Sequence, residues 1–179
     1  MRESYEKKSD YKTTSLISFN RGAKWQPLNP PTVSSVGTPI NCKIEKGCSL
    51  HLHSFSTETI PYPYSVASAV GLIFGVGNLG KELTSKYNEM NTYLSRDGGL
   101  NWVEIKKGPW IMEIGDHGAI IVMAPMFKST KNLDFSFDMG ATFEKVRISE
   151  KLVDVDNIIV EPNSISLKFV MHGHFAETQ

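Results

Sequence analysis

An all-β fold is what this sequence of 179 residues predicts, and three observations predict it. Nearly every apolar run is short, rich in β-branched or aromatic residues, and closed off by Gly, Pro, Asn or Asp, which is the strand-and-turn signature. Helical spacing occurs only in "KELTSKYNEM" (residues 81–90), where Leu83, Tyr87 and Met90 follow at steps of four and three. An eight-residue pattern also recurs three times, each time at the junction of two strand-like runs.

Taken in order, "LISF" (16–19) and "KWQPL" (24–28) flank the first copy of that pattern. "LHLHS" (50–54) alternates two residue types, as one strand with two distinct faces does. "GLIFGV" (71–76) is a strand-sized apolar run, followed after the one predicted helix by "TYLS" (92–95) and "NWVEI" (101–105) around the second copy. "IMEI" (111–114) and "AIIVMA" (119–124) bracket "GDHG", a natural hairpin turn. "LDFSF" (133–137) and "TFEKVRI" (142–148) surround the third copy, and "DNIIV" (156–160) and "SLKFVMH" (166–172) complete the set.

The repeated pattern reads S-x-[DN]-x-G-x-x-[WF]. Its copies are Ser18, Asn20, Gly22 and Trp25; Ser95, Asp97, Gly99 and Trp102; and Ser136, Asp138, Gly140 and Phe143. Asp97 and Asp138 stand 41 positions apart, about the size of one propeller blade. Asn20 and Asp97 stand 77 apart, which fits one blade enlarged by the Cys42–Cys48 loop and the polar segment 84–91. The pattern is the Asp-box, known from several β-propeller families. Its chemistry is that of a turn: the Asx oxygen accepts backbone N–H bonds, Ser adds a short-range partner, and Gly takes positive φ. The closing aromatic then returns to bury area in the sheet. Asn20 in the first copy accepts a hydrogen bond without a charge, which suits a turn and not acid catalysis.

Composition removes several function classes. With 19 basic against 19 acidic residues there is no electrostatic footprint for nucleic acid or an anionic membrane. The longest apolar runs, "GLIFGVG" and "AIIVMAP", are far short of the roughly 20 residues a membrane helix needs. The first residues, "MRESYEKKSDYKTT", are polar, so no secretory signal and no transmembrane helix is expected within this chain.

Other motifs have a sharp reading and a plain one. "GVGNLG" (75–80) fits G-x-G-x-x-G, but no βαβ alternation follows and Asp97 already belongs to a repeated turn, so a strand bounded by glycines is favoured. His51 and His53, and likewise His172 and His174, fall two apart and share a strand face, where two imidazoles can meet a metal. No further ligand stands at obvious spacing, and packed or hydrogen-bonded histidines are the expected outcome, with no metal and no cofactor. Cys42 and Cys48, separated by "KIEKG", are either unrelated thiols or the ends of a small disulfide loop.

Laid in order, "CSLHLHS" (48–54), "GLIFGVGNLG" (71–80), "YLSRDGGLNWVEIKKGP" (93–109), "GDHGAIIVM" (115–123) and "SFDMGATF" (136–143) resemble the lumenal propeller of the sortilin family. The likeness is closest to its fungal vacuolar protein-sorting receptors of the carboxypeptidase Y receptor type, over roughly residues 16–173. It implies a ten-bladed β-propeller, of which residues 1–179 supply the end of one blade, two whole blades and the start of another, with no second domain. It implies a disulfide between Cys42 and Cys48, since these proteins fold in the oxidising secretory pathway. It also implies a non-enzymatic receptor that binds protein or peptide cargo, such as vacuolar hydrolases or propeptides, in the Golgi lumen for transport to endosome and vacuole. Family peptide ligands bind inside the central tunnel, partly by adding to a strand edge. The matched motifs are framework motifs, so no residue here is assigned to that contact. The family's signal peptide, full ring, cysteine-rich module, transmembrane helix and sorting tail are not among these residues, and a truncated gene product, a partial gene model or a receptor fragment is expected. Two readings from other classes compete. An Asp-box glycosidase of the sialidase type needs an arginine cluster and a Tyr/Glu pair. The arginines here are Arg2, Arg21, Arg96 and Arg147 alone, two of them inside the repeated turns. A lectin-like or scaffold propeller is the other.

Overall fold

The structure, a computed structural model, describes residues 12–53 and 63–176. Apolar runs that hide side chains on alternate or both faces can bury them only against other sheets, and among the described residues the chain does this with twelve strands. These are β1 (Leu16–Ile17), β2 (Gln26–Pro27), β3 (Ser49–Leu52), β4 (Ile73–Gly80), β5 (Asn91–Ser95) and β6 (Val103–Lys107), then β7 (Trp110–Gly115), β8 (Ile120–Pro125), β9 (Asn132–Ser136), β10 (Glu144–Arg147), β11 (Val153–Ile159) and β12 (Val170–Phe175). The all-β class expected from the sequence is the class observed.

The strands form four separate antiparallel sheets. β3-β4-β5-β6 and β7-β8-β9-β10 are four-stranded, each strand bonded to its neighbour in sequence, while β1-β2 and β11-β12 are pairs. One apolar core lies between each two successive sheets. Leu28, Leu50, Tyr93 and Trp102, with Ile17 packed against them, join β1-β2 to the first four-stranded sheet. Phe74, Met90 and Leu94 from that sheet meet Met112, Ile114 and Met123 from the second. Val122 and Ala124 meet Ile158, with Phe135 and Phe169 alongside, between the second sheet and β11-β12. Sheets stacked face to face around successive cores are how propeller blades pack.

The middle strands β4 and β8 are hidden almost throughout. Two glycines let β3 lie close to β4. A methyl group on Gly77 would overlap the carbonyl oxygen of His51, and one on Gly75 would press into Leu52. "GVGNLG" therefore lies inside an antiparallel strand, with its glycines spent on strand approach and not merely bounding the strand as the sequence suggested.

The predicted helix over residues 81–90 is a correction. The segment holds one 3₁₀ turn, Tyr87–Glu89, in an excursion between β4 and β5. Asn78 pins it from the strand, donating to the Glu82 carbonyl at 3.0 Å and accepting from the Thr84 N–H at 3.0 Å. Met90 is buried at the mouth of β5, while the Leu83 N–H bonds to the Thr13 carbonyl. Three apolar residues at helical spacing were thus answering to different neighbours. A second join between sheets was invisible in the sequence: the Lys106 ammonium pairs with buried Asp134, 5.0 Å from the Trp110 ring centre and 4.5 Å from that of Phe143.

Candidate functional site

The three repeated turns share a backbone and three framework hydrogen bonds. Their fourth residues, Arg21, Gly98 and Met139, have φ of 58°, 72° and 55°, and their glycines, Gly22, Gly99 and Gly140, have 86°, 91° and 77°. In each, the glycine N–H donates to the serine Oγ at 2.8 Å. The serine hydroxyl donates to the Asx Oδ1, at 3.1 Å for Asn20, 2.9 Å for Asp97 and 2.7 Å for Asp138. That oxygen also accepts the backbone N–H of the seventh residue, Lys24, Asn101 or Thr142, at 2.8, 2.8 and 2.9 Å. Asp97 is held below the usual carboxylate range by its bonds from Asn101, then Ser95. Asp138 is held well below it, chiefly by the Thr142 hydroxyl and N–H. Both charges are consumed by their own turns.

What the turns do not share is burial. Trp102 is 5% exposed and its indole N–H donates to the Gly99 carbonyl at 3.0 Å, whereas Trp25 is 58% exposed. Phe143 is half-buried against the core between the four-stranded sheets. The expectation that each closing aromatic buries itself therefore fails for Trp25, because among the described residues β1-β2 has a neighbouring sheet on one side only.

Neighbouring sheets are keyed together at these turns. A methyl group on Gly99 would lie 2.5 Å from Ile17 Cδ1, and one on Gly140 would lie 2.6 Å from Leu94 Cδ2. Ile17 and Leu94 each stand directly before a pattern serine, so the residue leading one turn seats on the glycine of the next. Three positions before that serine, hydroxyls reach the following sheet: Ser15 Oγ accepts the Leu52 N–H at 2.9 Å, and Thr92 Oγ1 accepts the Trp110 N–H at 3.1 Å. Arg96 Nε donates to the Met139 carbonyl at 2.7 Å, turn to turn. The sequence reading missed this key, although a hydroxyl at minus three and an apolar residue at minus one were visible signals.

Cys42 and Cys48 are joined by a disulfide around the 3₁₀ turn Ile44–Lys46, immediately before β3. On β3, Ser49 and His51 are buried, as is His53 just beyond it. His51 Nδ1 accepts the Ser15 N–H at 3.1 Å, so Nε2 carries the proton and faces the Gly80 carbonyl at 3.1 Å. Burial lowers the pKa of His51, against a smaller opposing pull from Gly80 and Glu82, and burial likewise lowers that of His53. On β7, Glu113 accepts bonds from the Tyr64 hydroxyl at 2.5 Å and the Ile114 N–H at 3.0 Å, and burial pushes its pKa up.

His172 and His174 lie on exposed β12, where His174 Nδ1 is 3.3 Å from Asp156. Among the described residues no three His, Cys, Asp or Glu side chains gather as metal ligands. "GDHG" forms the β7–β8 connection, with Asp116, His117 and Gly118 at φ of 44°, 57° and 97°. Among the described residues no helix is long and apolar enough to cross a membrane.

Comparison with known proteins places this architecture. The family model described as Sortilin, neurotensin receptor 3, matches residues 1–158. The vacuolar protein sorting/targeting protein 10 of Talaromyces stipitatus is 41% identical over 173 residues, covering 94% of this chain and 12% of that protein. An uncharacterised membrane glycoprotein of Saccharomyces cerevisiae is 39% identical over 172 residues, 94% of this chain and 15% of its own length. The vacuolar protein sorting/targeting protein PEP1 of the same yeast is 37% identical over 175 residues, 96% of this chain and 11% of that protein. The chain thus spans between 11% and 15% of the length of these relatives. With a family model matched over most of its residues and relatives of this similarity, the chain belongs to the Sortilin-Vps10 family.

Proposed function

We propose that this chain is part of the propeller of a non-enzymatic sorting receptor, which binds vacuolar hydrolase or propeptide cargo in the Golgi lumen and carries it toward endosome and vacuole. In this reading the two four-stranded sheets are whole blades of a ten-bladed ring. β1-β2 is the end of one blade and β11-β12 the start of another. The observation that carries it is the 41% identity to a protein named for vacuolar sorting and targeting. Two features of the site agree with it. The conspicuous acids, Asp97 and Asp138, are engaged by their own turns, as framework groups would be. Among the described residues no other strand bonds the outer edge of β7, the first strand of the second four-stranded sheet, a position from which a peptide strand can be added.

The test is retention of cargo by the immobilised 179-residue chain. Precursor forms of vacuolar hydrolases should be retained and the mature enzymes, stripped of their propeptides, should pass. Retention of glycans in place of precursors would favour a lectin-like propeller, and turnover of a fluorogenic sialoside would overturn the non-enzymatic reading.

A further inference from the structure

Because each strand is antiparallel to the next, the connections alternate between two ends of the sheets. The turns Ser95–Trp102 and Ser136–Phe143 and the "GDHG" connection lie at one end. The β4–β5 connection (81–90) and the β8–β9 connection (126–131) lie at the other. There the two four-stranded sheets touch through aromatic rings: Tyr87 and Phe127 stand 4.6 Å apart, centre to centre, tilted by 46°. Both stay open to solvent, at 48% and 56% exposed. Each connection leaves and re-enters its own sheet, so the pair sits beyond the strand ends and not on a face where another sheet would stack.

Backbone strain singles out Phe127. Its φ is 54°, and no other Phe, Tyr or Trp among the described residues has positive φ. For a bulky side chain that conformation is costly, and a cost of this kind gathers where a protein binds. Arg21 and Met139 adopt it inside the repeated turn, whose hydrogen bonds hold them there. Phe127 has neither that turn nor burial to offset it. The loop is instead fixed on both sides of the ring. The Met126 N–H donates to the Pro109 carbonyl at 3.0 Å, and Thr130 and Val153 exchange backbone bonds at 2.8 and 2.9 Å. The Ser129 hydroxyl donates to Asp154 at 2.7 Å. Tyr87 is presented by the 3₁₀ turn of the excursion that Asn78 pins. Exposed aromatics held this rigidly are binding anchors, since they cover a large area at little cost in conformational entropy.

Charge names the partner. The two connections carry Lys81, Lys86, Lys128 and Lys131 against Glu82 and Glu89. Glu89 is taken up by Lys86 at 2.8 Å, and no ion pair among the described residues involves Lys81, Lys128 or Lys131. We propose that this end of the sheets docks an acidic segment of a partner protein. An apolar side chain of the segment packs on the Tyr87–Phe127 pair, and its carboxylates face the lysines around it. The proposal rests on these two connections and not on the cargo reading.

Fluorescence anisotropy of the 179-residue chain tests this, with a short fluorescein-labelled peptide of Asp and Glu around one Phe as the probe. Two control peptides carry Lys in place of the acids or Gly in place of the Phe. The acidic peptide with its Phe should bind, and more weakly as salt rises. Both controls should bind at least about tenfold more weakly. Phe127→Gly is the decisive variant, because glycine takes positive φ without strain. Its melting temperature should hold or rise while its affinity for the probe falls about tenfold, as loss of an anchor requires. Lys128→Glu combined with Lys131→Glu, both at exposed positions, should lower the affinity and flatten its salt dependence. A Phe127→Gly chain that binds like the wild type, or a probe that binds no better than its lysine counterpart, overturns the proposal. So does binding of phosphatidylserine vesicles in place of the probe, which would assign this end to a lipid surface. If Phe127→Gly does not fold, the lysine variant decides, and an unchanged affinity there refutes the docking.

Discussion

The first turn and the second share a backbone and three framework hydrogen bonds and have opposite surroundings. Ser18 to Trp25 closes on a tryptophan that is 58% exposed, and Ser95 to Trp102 closes on one that is 5% exposed. Turn geometry is therefore local, set by Ser, Asx and Gly within eight residues, while aromatic burial is a property of the neighbouring sheet. A repeat can specify its own corner completely and still depend on its predecessor for most of its stability. This is the expected behaviour of a repeat array, where each unit adds an intrinsic term and an interface term.

The sharpest way to break the comparison is at the tryptophans. Trp102→Ala should destabilise the chain by about 3–5 kcal/mol, the cost of emptying a large aromatic site in a core. Trp25→Ala, at a position 58% exposed, should cost below about 0.5 kcal/mol, as surface substitutions do. Denaturant unfolding of the two variants at low concentration measures both. Equal losses would mean that Trp25 is as covered as Trp102.

Next in size are the seats. Gly99→Ala forces a Cβ into positive φ and against Ile17, for about 2–3 kcal/mol in all. Gly22→Ala meets the same backbone penalty without the overlap, about 1 kcal/mol. Thermal unfolding of the pair isolates the interface part, and Ile17→Ala combined with Gly99→Ala should recover some of it by clearing space.

The acid limb of stability comes third. His51 and His53 have folded pKa values below the ordinary 6.5, so the unfolded chain takes up protons first as pH falls. Stability is full above 6.5 and is lost as pH falls toward the folded values. Glu113 acts with the opposite sign. Its pKa is raised, so it adds stability below 4.5 and loses that contribution as pH rises through its folded value. Unfolding midpoints between pH 7 and pH 5 should therefore decline, and His51→Gln should flatten the decline by removing one of the two groups that drive it. An unchanged slope would show that His51 charges as readily folded as unfolded.

Much of this architecture was legible because strands and turns are written locally. All twelve observed strands overlap or adjoin expected ones, and the three turns were visible as letters before any geometry. β1 and β2 are only two residues each, shorter than expected, because residues 18–25 belong to the turn itself. The last strand begins at Val170 and not at residue 166, since the Glu161 carboxylate accepts the Ile165 and Ser166 N–H groups and holds that stretch as a loop. What could not be read were relations between distant residues: Lys106 with Asp134, Tyr64 with Glu113, and the exposure of Trp25. Pattern reading also made a helix of residues 81–90, where Asn78, fixed on a strand, holds an irregular excursion. The Ile17–Gly99 and Leu94–Gly140 seats were half legible. Their spacing relative to the serine repeats, but only three-dimensional stacking says that the partner is the next turn and not its own.

The smallest effect is expected at the acid that distinguishes the second turn from the first. Asp97→Asn keeps an Oδ1 for the Asn101 N–H and the Ser95 hydroxyl, as Asn20 does for Lys24 and Ser18. What it gives up is the second oxygen, which accepts from the Asn101 side chain at 2.7 Å, and the charge. Because hydrogen bonding lowers the Asp97 pKa, the carboxylate contributes stability above the ordinary value of 3.8 and loses it as pH falls through the folded value. The variant should therefore melt slightly below the wild type by a constant margin at neutral pH, and the two should converge only in strong acid. Cargo retention should follow stability and show no separate loss. An Asn variant that melts like the wild type yet retains no precursor would make Asp97 a contact residue, and the equivalence of the first and second turns would end there.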